Sequence, residues 1–267
     1  MDKWKFVVTT SAKGEKEKEE DAKKVADRLG AVYVSRNKVP MSRLKEMYDV
    51  DTVVLVTREG IEADTERGRC FFHLNMAQLR TQNMDKGTND HMTQAMGLRE
   101  GMSVLDCTMG LASDAVVASY VVGASGRVVG VEKSPVVHLI VSEGITAFTS
   151  ENERLTQAVK RIVTVQDDAL AYLKKQADNA FDVVYFDPMF RMPVYTSANF
   201  KPMRSIVETD ALSLAMVKEA IRVARCRVVM KETAGSGEFQ RLGFDKLCGG
   251  KYSRIQYGVI EKGAIDG

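Results

Sequence analysis

The sequence predicts an α/β protein with a mostly parallel sheet, an antiparallel edge to that sheet, and a small N-terminal α/β domain. Beyond about residue 100, short apolar strand segments alternate with helical segments, which is typical of a parallel sheet covered by helices on both faces. Near the C-terminus, two strand segments flank Gly249-Gly250, which indicates an antiparallel pair. The composition, 45% hydrophobic and 28% charged, excludes a disordered or collagen-like chain.

Residues 1–84 form the predicted small domain. In chain order it has a strand at 5–10, a helix at 16–29, a strand at 31–35, a helix at 40–48, and strands at 52–57 and 70–74. Apolar residues at helical spacing support the first helix: Ala22, Val25, Ala26 and Leu29. The turn-rich segment 85–91 marks a boundary near residue 84, so the second domain is predicted over 85–267.

The second domain begins with a helix that ends at Gly97. Strand and helix pairs follow at 103–105 and 113–122, 127–131 and 136–148, 162–165 and 169–176, and 183–186 and 210–224. A fifth strand is predicted at 227–230, and the antiparallel pair at 244–247 and 255–261. Ligands of such sheets bind at the carboxyl ends of the strands, so the loops after these strands carry the candidate functional groups.

Several classes of protein are disfavoured. The four cysteines form no CxxC pair, which is typical of reduced thiols in a cytoplasmic protein. The three histidines lack zinc-binding spacing, so we expect no metal. No apolar run approaches the ~18 residues of a membrane span, and the N-terminal residues do not resemble a signal peptide. We therefore expect a cytoplasmic protein with no membrane partner.

A carboxylate follows each of four consecutive predicted strands: Asp106, Glu132, Asp168 and Asp187. Glu132 can accept hydrogen bonds from ribose hydroxyls, and Asp168 can accept one from an adenine amine. A dinucleotide site would need a fuller GxGxxG motif and phosphate-binding donors. A cationic sulfonium with an amino group tolerates many acids, so S-adenosylmethionine is predicted rather than NAD.

The loop after Asp106 is the second part of this candidate cofactor site. It turns at Gly110, which would let the backbone approach a ligand closely, and it leads into a helix that begins near Ser113 and Asp114. Such a loop alone predicts no more than a tight turn between a strand and a helix. Together with the acids that follow it, the loop favours a cofactor site.

The most specific motif is Asp-Pro-Met-Phe at residues 187–190, directly after an apolar strand. It resembles the Asp/Asn-Pro-Pro-Tyr/Phe signature of methyltransferases that act on exocyclic amines of nucleobases, with Met189 in place of the second proline. The Asp187 carboxylate and the Pro188 carbonyl can accept the hydrogens of a conjugated amine, which directs its lone pair at the methyl group. Phe190 can stack on the base.

The motifs together resemble the RsmJ-type small-subunit ribosomal RNA guanine-N2 methyltransferases, over roughly residues 87–231. The run is Asp-x-Thr-x-Gly-Leu-x-x-Asp-Ala at 106–115, then Glu132 followed after two residues by Pro-Val-Val, then the 187–190 motif. In this sequence Ala112 and Ser113 follow Gly110-Leu111, where the family usually has a further glycine. Asp168-Ala169 replaces the two serines that the family often has.

The resemblance implies a Rossmann-like class I methyltransferase fold, S-adenosylmethionine as cofactor and S-adenosylhomocysteine as product. It implies methyl transfer to guanine N2 of ribosomal RNA, with catalytic roles for Asp187, Pro188 and Phe190. The implied cofactor contacts, taken with those from the residues above, are Asp106, Gly110, Ser113, Asp114, Glu132, Lys133, Asp168, Ala169 and Asp187.

An RNA partner is also indicated by local charge. From Arg191 to Lys231 the chain has eight basic and three acidic side chains, although its net charge is only +2. Aromatic residues interleave with the basic ones: Phe190, Tyr195 and Phe200. Arg191, Lys201 and Arg204 are candidate phosphate contacts.

Two other readings stay open at this stage. A protein or small-molecule methyltransferase would keep the cofactor site and use the 187–190 loop differently. A non-catalytic RNA-binding or assembly factor would bind the cofactor without turnover. The sequence does not indicate an oligomeric state.

Overall fold

The computed structural model describes residues 5–11, 15–66, 68–188, 212–250 and 252–262. The described chain divides into two compact units. The first contains residues up to 73 together with 134–147, and the second contains 74–133, 148–188 and 212–262. Each unit has its own sheet.

The first unit has a five-stranded sheet in the order β2-β1-β3-β4-β5. Its strands are β1 (Phe6–Thr10), β2 (Val32–Tyr33), β3 (Thr52–Val56), β4 (Ile61–Thr65) and β5 (Gly68–Phe71). Its helices are α1 (Glu15–Leu29), α2 (Met41–Tyr48) and α6 (Pro135–Ala147). The first three strands of the order are parallel, while β3, β4 and β5 are antiparallel. The helix α6 packs against β4.

The second unit has a seven-stranded sheet in the order β11-β12-β10-β9-β6-β7-β8. Its strands are β6 (Ser103–Asp106), β7 (Arg127–Glu132), β8 (Val163–Gln166), β9 (Phe181–Phe186), β10 (Ala224–Thr233), β11 (Lys246–Cys248) and β12 (Ile255–Glu261). Its helices are α3 (Asn75–Asp85), α4 (His91–Met96), α5 (Ser113–Val122), α7 (Glu153–Lys160), α8 (Ala169–Lys175), α9 (Leu214–Val223) and α10 (Glu238–Leu242). From β10 to β8 all neighbours are parallel, and β12 is antiparallel to both β10 and β11. This confirms the predicted mostly parallel sheet with an antiparallel edge.

The central strands of this sheet are buried on both faces. In β9, residues 183–186 are at most 1% exposed. Burial of each such apolar side chain contributes about 1.5–3 kcal/mol. A strand with this composition is therefore stable only in the middle of a covered sheet, and this fixes the position of the residues that follow it.

The structure differs from the prediction at several elements. The strand β4 and the helices α3, α7 and α10 were not predicted. The strand predicted at 70–74 overlaps β5, which begins and ends earlier, and β10 is longer than the predicted 227–230. The third strand of the second unit ends at Gln166, two residues before Asp168. No helix within the described residues is long and apolar enough to cross a membrane.

Candidate active site

The candidate site of the second unit lies at the carboxyl ends of its parallel strands. The strand order reverses at β6, because the chain continues to β7 and β8 on one side and places β9 and β10 on the other. Ligands of such sheets bind at this switch point. The four acids predicted to line one edge follow four neighbouring strands of the sheet: Asp187, Asp106, Glu132 and Asp168.

The loop after β6 is held against β7. Gly110 has a φ of 51°, and its N–H donates to Oε2 of Glu132 at 3.1 Å. The Met109 N–H donates to the Val131 carbonyl at 3.0 Å. Two predicted cofactor contacts, Gly110 and Glu132, therefore touch each other, and the loop lies against the end of the next strand.

Gly130 of β7 makes this close approach possible, and the sequence prediction did not include it. A Cβ atom at this position would lie 2.4 Å from Sδ and 2.8 Å from Cγ of Met109. The side chain of Met109 thus occupies the space that any larger residue at 130 would need. The conformation of the loop depends on this glycine.

We expect Gly130→Ala to weaken binding of S-adenosylmethionine, the cofactor predicted from the sequence, by about tenfold. The added methyl group displaces Met109 and with it the loop, and overpacking of this kind costs about 1–3 kcal/mol. Isothermal calorimetry measures the affinity. Gly237→Ala is the matched control, because a Cβ atom there meets nothing within 4 Å. Equal affinities of the Gly130→Ala variant and the wild type would contradict the role of the glycine.

Asp106 ends β6 and is almost completely buried, with 2% of the residue exposed. Its Oδ1 accepts a hydrogen bond from the Thr108 N–H at 3.0 Å. Burial raises the pKa of Asp106 to about 8, and the nearby carboxylates of Asp114 and Asp187 act in the same direction. At neutral pH this carboxyl group therefore carries a proton.

Asp114, in the first turn of α5, is the centre of a buried ion network. Its Oδ1 accepts from the Arg80 guanidinium, and its Oδ2 accepts from the Tyr185 hydroxyl at 2.8 Å and from Lys231 Nζ at 3.0 Å. Arg80 also binds both carboxylate oxygens of Asp90, at 2.8 and 3.0 Å. Burial alone would raise the pKa of Asp114, but Lys231 and Arg80 hold it well below its usual range. Both oxygens of this predicted cofactor contact are thus bonded to protein groups.

Asp187 lies directly after β9 and is held from two sides. Its Oδ2 is 2.7 Å from Lys231 Nζ, and its backbone N–H donates to the Thr108 hydroxyl at 2.6 Å. Burial raises the pKa of Asp187 to about 6; the Lys231 ammonium opposes this rise, and Asp114 adds to it. Pro188 follows at the same edge. Met189 and Phe190 lie outside the described residues.

Asp168 caps the helix α8. Its Oδ1 accepts from the Ala171 N–H at 3.0 Å, and its Oδ2 is 3.0 Å from Lys133 Nζ. Burial would raise the pKa of Asp168, but the ion pair with Lys133 lowers it. Ala169 is the buried first residue of α8, and Ser113 opens α5. Lys133, Asp168 and Ala169 therefore lie together at the far side of the row of acids.

Besides Gly130, four other described residues of the site were missing from the predicted set: Arg80, Thr108, Tyr185 and Lys231. Thr108 was within the quoted motif, and Tyr185 was within the strand before Asp187. Lys231 follows the buried apolar residues 228–230 within β10, and a charge placed directly after such an apolar run is the signal that could have identified it.

The predicted basic surface is largely neutralised where the structure describes it. Arg222 pairs with Asp178 and Glu219, and Arg225 pairs with Asp182. Arg227 and Lys231 also face acids. The candidate phosphate contacts Arg191, Lys201 and Arg204, and the aromatic residues Tyr195 and Phe200, lie outside the described residues. Within the described part of the chain, no group of three or more His, Cys, Asp or Glu side chains is arranged to hold a metal ion.

Comparison with known proteins gives concordant results. The model of the SAM_MT family, described as SAM-dependent methyltransferase, matches residues 46–254. The "Uncharacterized protein YpiP" of Bacillus subtilis is 38% identical over 256 residues, which is 96% of this chain and 99% of that protein.

Two further proteins show more limited similarity. Ribosomal RNA small subunit methyltransferase J of Hydrogenovibrio crunogenus is 31% identical over 151 residues, 54% of this chain and 53% of its own length, so the match spans about half of that relative. A SAM-dependent methyltransferase from Neisseria gonorrhoeae has a TM-score of 0.60 over 98% of both chains at 18% identity, which shows a shared fold.

Proposed function

The chain belongs to the family of SAM-dependent methyltransferases, and from this premise we propose that it methylates an exocyclic amine of a nucleobase, specifically N2 of guanine in small-subunit ribosomal RNA. The observation that carries the proposal is the position of Asp187 and Pro188, directly after β9 and at the switch point of the sheet. Similarity to Ribosomal RNA small subunit methyltransferase J supports ribosomal RNA as the target.

The residues along the sheet edge fit the proposed cofactor. S-adenosylmethionine carries a sulfonium and an ammonium group, and the acids Glu132 and Asp168 supply negative charge at the same edge of the sheet. Asp106, at the end of the strand β6, can lose its proton when a cation binds. Gly110 has no side chain and a φ of 51°, so a ligand can approach the backbone of this loop closely. When bound, this cofactor supplies an activated methyl group. Further proposed contacts are Ser113, Asp114, Lys133, Ala169 and Asp187.

We expect cofactor affinity to rise with pH between 6 and 8 and to level off above 8. In the free protein Asp106 is protonated below its pKa of about 8. A bound cation favours the ionised carboxylate, so binding below pH 8 releases a proton and weakens by up to roughly tenfold per pH unit. Calorimetry at pH 6, 7 and 8.5 measures this dependence. In Asp106→Asn the dependence should become flat, whereas a wild-type affinity that is constant over this range would exclude Asp106 as the group responsible.

The residues after β9 suit an amine acceptor. An exocyclic amine is a poor nucleophile because its lone pair is conjugated into the ring. The Asp187 carboxylate and the Pro188 carbonyl accept hydrogen bonds from its two N–H groups and so direct the lone pair at the methyl carbon. This positioning supplies most of the rate enhancement. Transfer of the methyl group leaves the amine positively charged. The carboxylate of Asp187 can accept the proton whose loss gives the neutral product.

Mass mapping of modified nucleotides in 16S-type ribosomal RNA from a deletion strain tests the proposal. We expect one N2-methylguanine to be lost and to be restored by the wild-type gene, but not by Asp187→Ala. Purified protein with labelled cofactor should label small subunits or their RNA. An intact modification pattern in the deletion strain would reject the proposal. Ribonuclease-resistant label in protein would favour a protein methyltransferase, and tight cofactor binding without any labelled product would favour a binding factor.

A further inference from the structure

Lys231 makes contacts that link the ion network to the residue proposed to meet the amine. Its ammonium nitrogen lies 2.7 Å from Oδ2 of Asp187 and 3.0 Å from Oδ2 of Asp114. Its side chain is 20% exposed, while that of Asp114 is 10% exposed. A largely buried cation therefore bridges two carboxylates that come from different elements, α5 and the end of β9.

Asp114, one of the two carboxylates that Lys231 bridges, is fixed by further contacts. Asp114 is held by the Tyr185 hydroxyl and by Arg80, and Arg80 is clamped in turn by both oxygens of Asp90. Bidentate arginine–carboxylate pairs of this kind restrict orientation strongly. Because Lys231 is bound to this fixed Asp114, the position of its ammonium group is set before Asp187 contacts any substrate.

Lys231 acts at this site as a cation. Burial alone would lower the pKa of its ammonium group, but the carboxylates of Asp114 and Asp187 raise that pKa above its usual range. It therefore stays protonated at neutral pH and does not accept the proton that methyl transfer releases. Its contribution to Asp187 is charge and a directed hydrogen bond.

We propose that Lys231 is a positioning residue for methyl transfer: its ammonium group, anchored by Asp114, holds the Asp187 carboxylate ionised and in one orientation. The catalytic part of this inference rests on the proposed function. One carboxylate oxygen is bonded to Lys231, and the Asp187 backbone is tied to Thr108. The Asp187 carboxylate therefore has a fixed position and orientation at the edge of the sheet.

The charges around Asp187 define the expected pH effect. The groups that act on it are Lys231 on β10, Asp114 on α5, Asp106 on β6 and Tyr185 on β9, while Tyr257 on β12 acts on Lys231. Burial and Asp114 raise the pKa of Asp187, and Lys231 lowers it. Loss of the cation should therefore move the protonation of Asp187 to higher pH, so that less of the ionised form is present at pH 7.

Carbon-13 carboxyl NMR titration of the full chain tests this directly, with Asp187 assigned through Asp187→Asn. In Lys231→Gln, which can still donate a hydrogen bond but carries no charge, we expect the titration midpoint of Asp187 to rise by about one pH unit or more. Lys231→Arg should return the midpoint close to the wild-type value. Lys246→Gln is the matched control, because Lys246 is an exposed lysine on β11 that pairs with Glu261 on β12, and it should leave the midpoint unchanged.

Methyl transfer measured against pH gives the second readout. The acid limb of kcat should move to higher pH in Lys231→Gln. For a shift of one pH unit kcat at pH 7 should fall about twofold, and by more for a larger shift. Lys231→Arg should restore most of it. Calorimetry with S-adenosylhomocysteine on the same variants separates loss of cofactor binding from loss of kcat.

An unchanged Asp187 midpoint in Lys231→Gln would overturn the inference, and so would an unchanged pH profile in an active enzyme. If the wild type transfers no methyl group, the proposed function fails, while the NMR titration still decides the role of Lys231.

Discussion

Replacing Asp187 with alanine is expected to abolish methyl transfer, a loss of at least about a hundredfold in kcat. The carboxylate is the group proposed to accept a hydrogen of the target amine and then its proton. Asp106, Gly110 and Glu132 stand on other elements, so binding of S-adenosylhomocysteine should be at least partly retained. Transfer of labelled methyl groups to RNA and calorimetry of the same preparation separate the two effects.

The controls for this variant follow from the structure. Lys231 keeps its contact with Asp114 when Asp187 is removed, so the variant should remain folded. Asp245→Ala alters an exposed aspartate outside the site and should retain wild-type activity. Full activity of Asp187→Ala on the true substrate would refute the assigned role.

Replacing Asp114 with alanine should lower the free energy of unfolding by about 3–5 kcal/mol. Breaking a buried ion pair costs several kcal/mol. Here Arg80 and Lys231 each lose one of their two carboxylates, and the buried Tyr185 hydroxyl loses its acceptor. Urea unfolding followed by circular dichroism measures the change. The expected loss is a large fraction of the usual free energy of unfolding of a domain, so the variant should also yield less folded protein.

An exposed ion pair provides the comparison for Asp114. Glu46 pairs with Arg43 on α2, and both side chains are well exposed. Glu46→Ala should change the free energy of unfolding by less than about 1 kcal/mol. A similarly small change for Asp114→Ala would mean that the buried network contributes little to the stability of the fold.

The succession of strands and helices along the chain and the row of acids could be predicted because both depend on local pattern. Apolar strands such as Phe181–Phe186 show that the sheet is covered on both faces, and parallel strands place their carboxyl ends at one edge. The residues directly after those strands then meet, whatever the details of packing. Family membership and fold followed from the same residues.

The missed helices lack the pattern that such a prediction needs. In α3 the buried residues include Ala77 and Thr81, and Arg80 faces the ion network, so no apolar stripe marks the helix. The helix α7 has only eight residues, although Asn152 caps it by accepting from the Leu155 N–H. The cap was the available signal.

The ion network could not be predicted because it joins distant parts of the sequence. The partners of Asp114 are 34, 71 and 117 residues away, at Arg80, Tyr185 and Lys231. Nothing in the local sequence says which acid a lysine will meet. In the sequence Lys231 belonged to a basic stretch. Only the packing of β10 beside β9 shows that its charge is paired with carboxylates inside the protein.

The two units are interleaved along the chain, which limits how they can be separated genetically. Residues 134–147, which form α6, belong with the N-terminal sheet although they are encoded between β7 and α7 of the other unit. Within that first unit, Gly144 packs so closely on Phe72 that a Cβ atom would lie 2.2 Å from the ring. A fragment that ends at residue 84 therefore lacks α6, a helix of its own unit. A fragment that starts at residue 85 contains α6 but lacks the N-terminal sheet against which α6 packs. Circular permutation or co-expression, rather than a single cut, is the practical way to study either half.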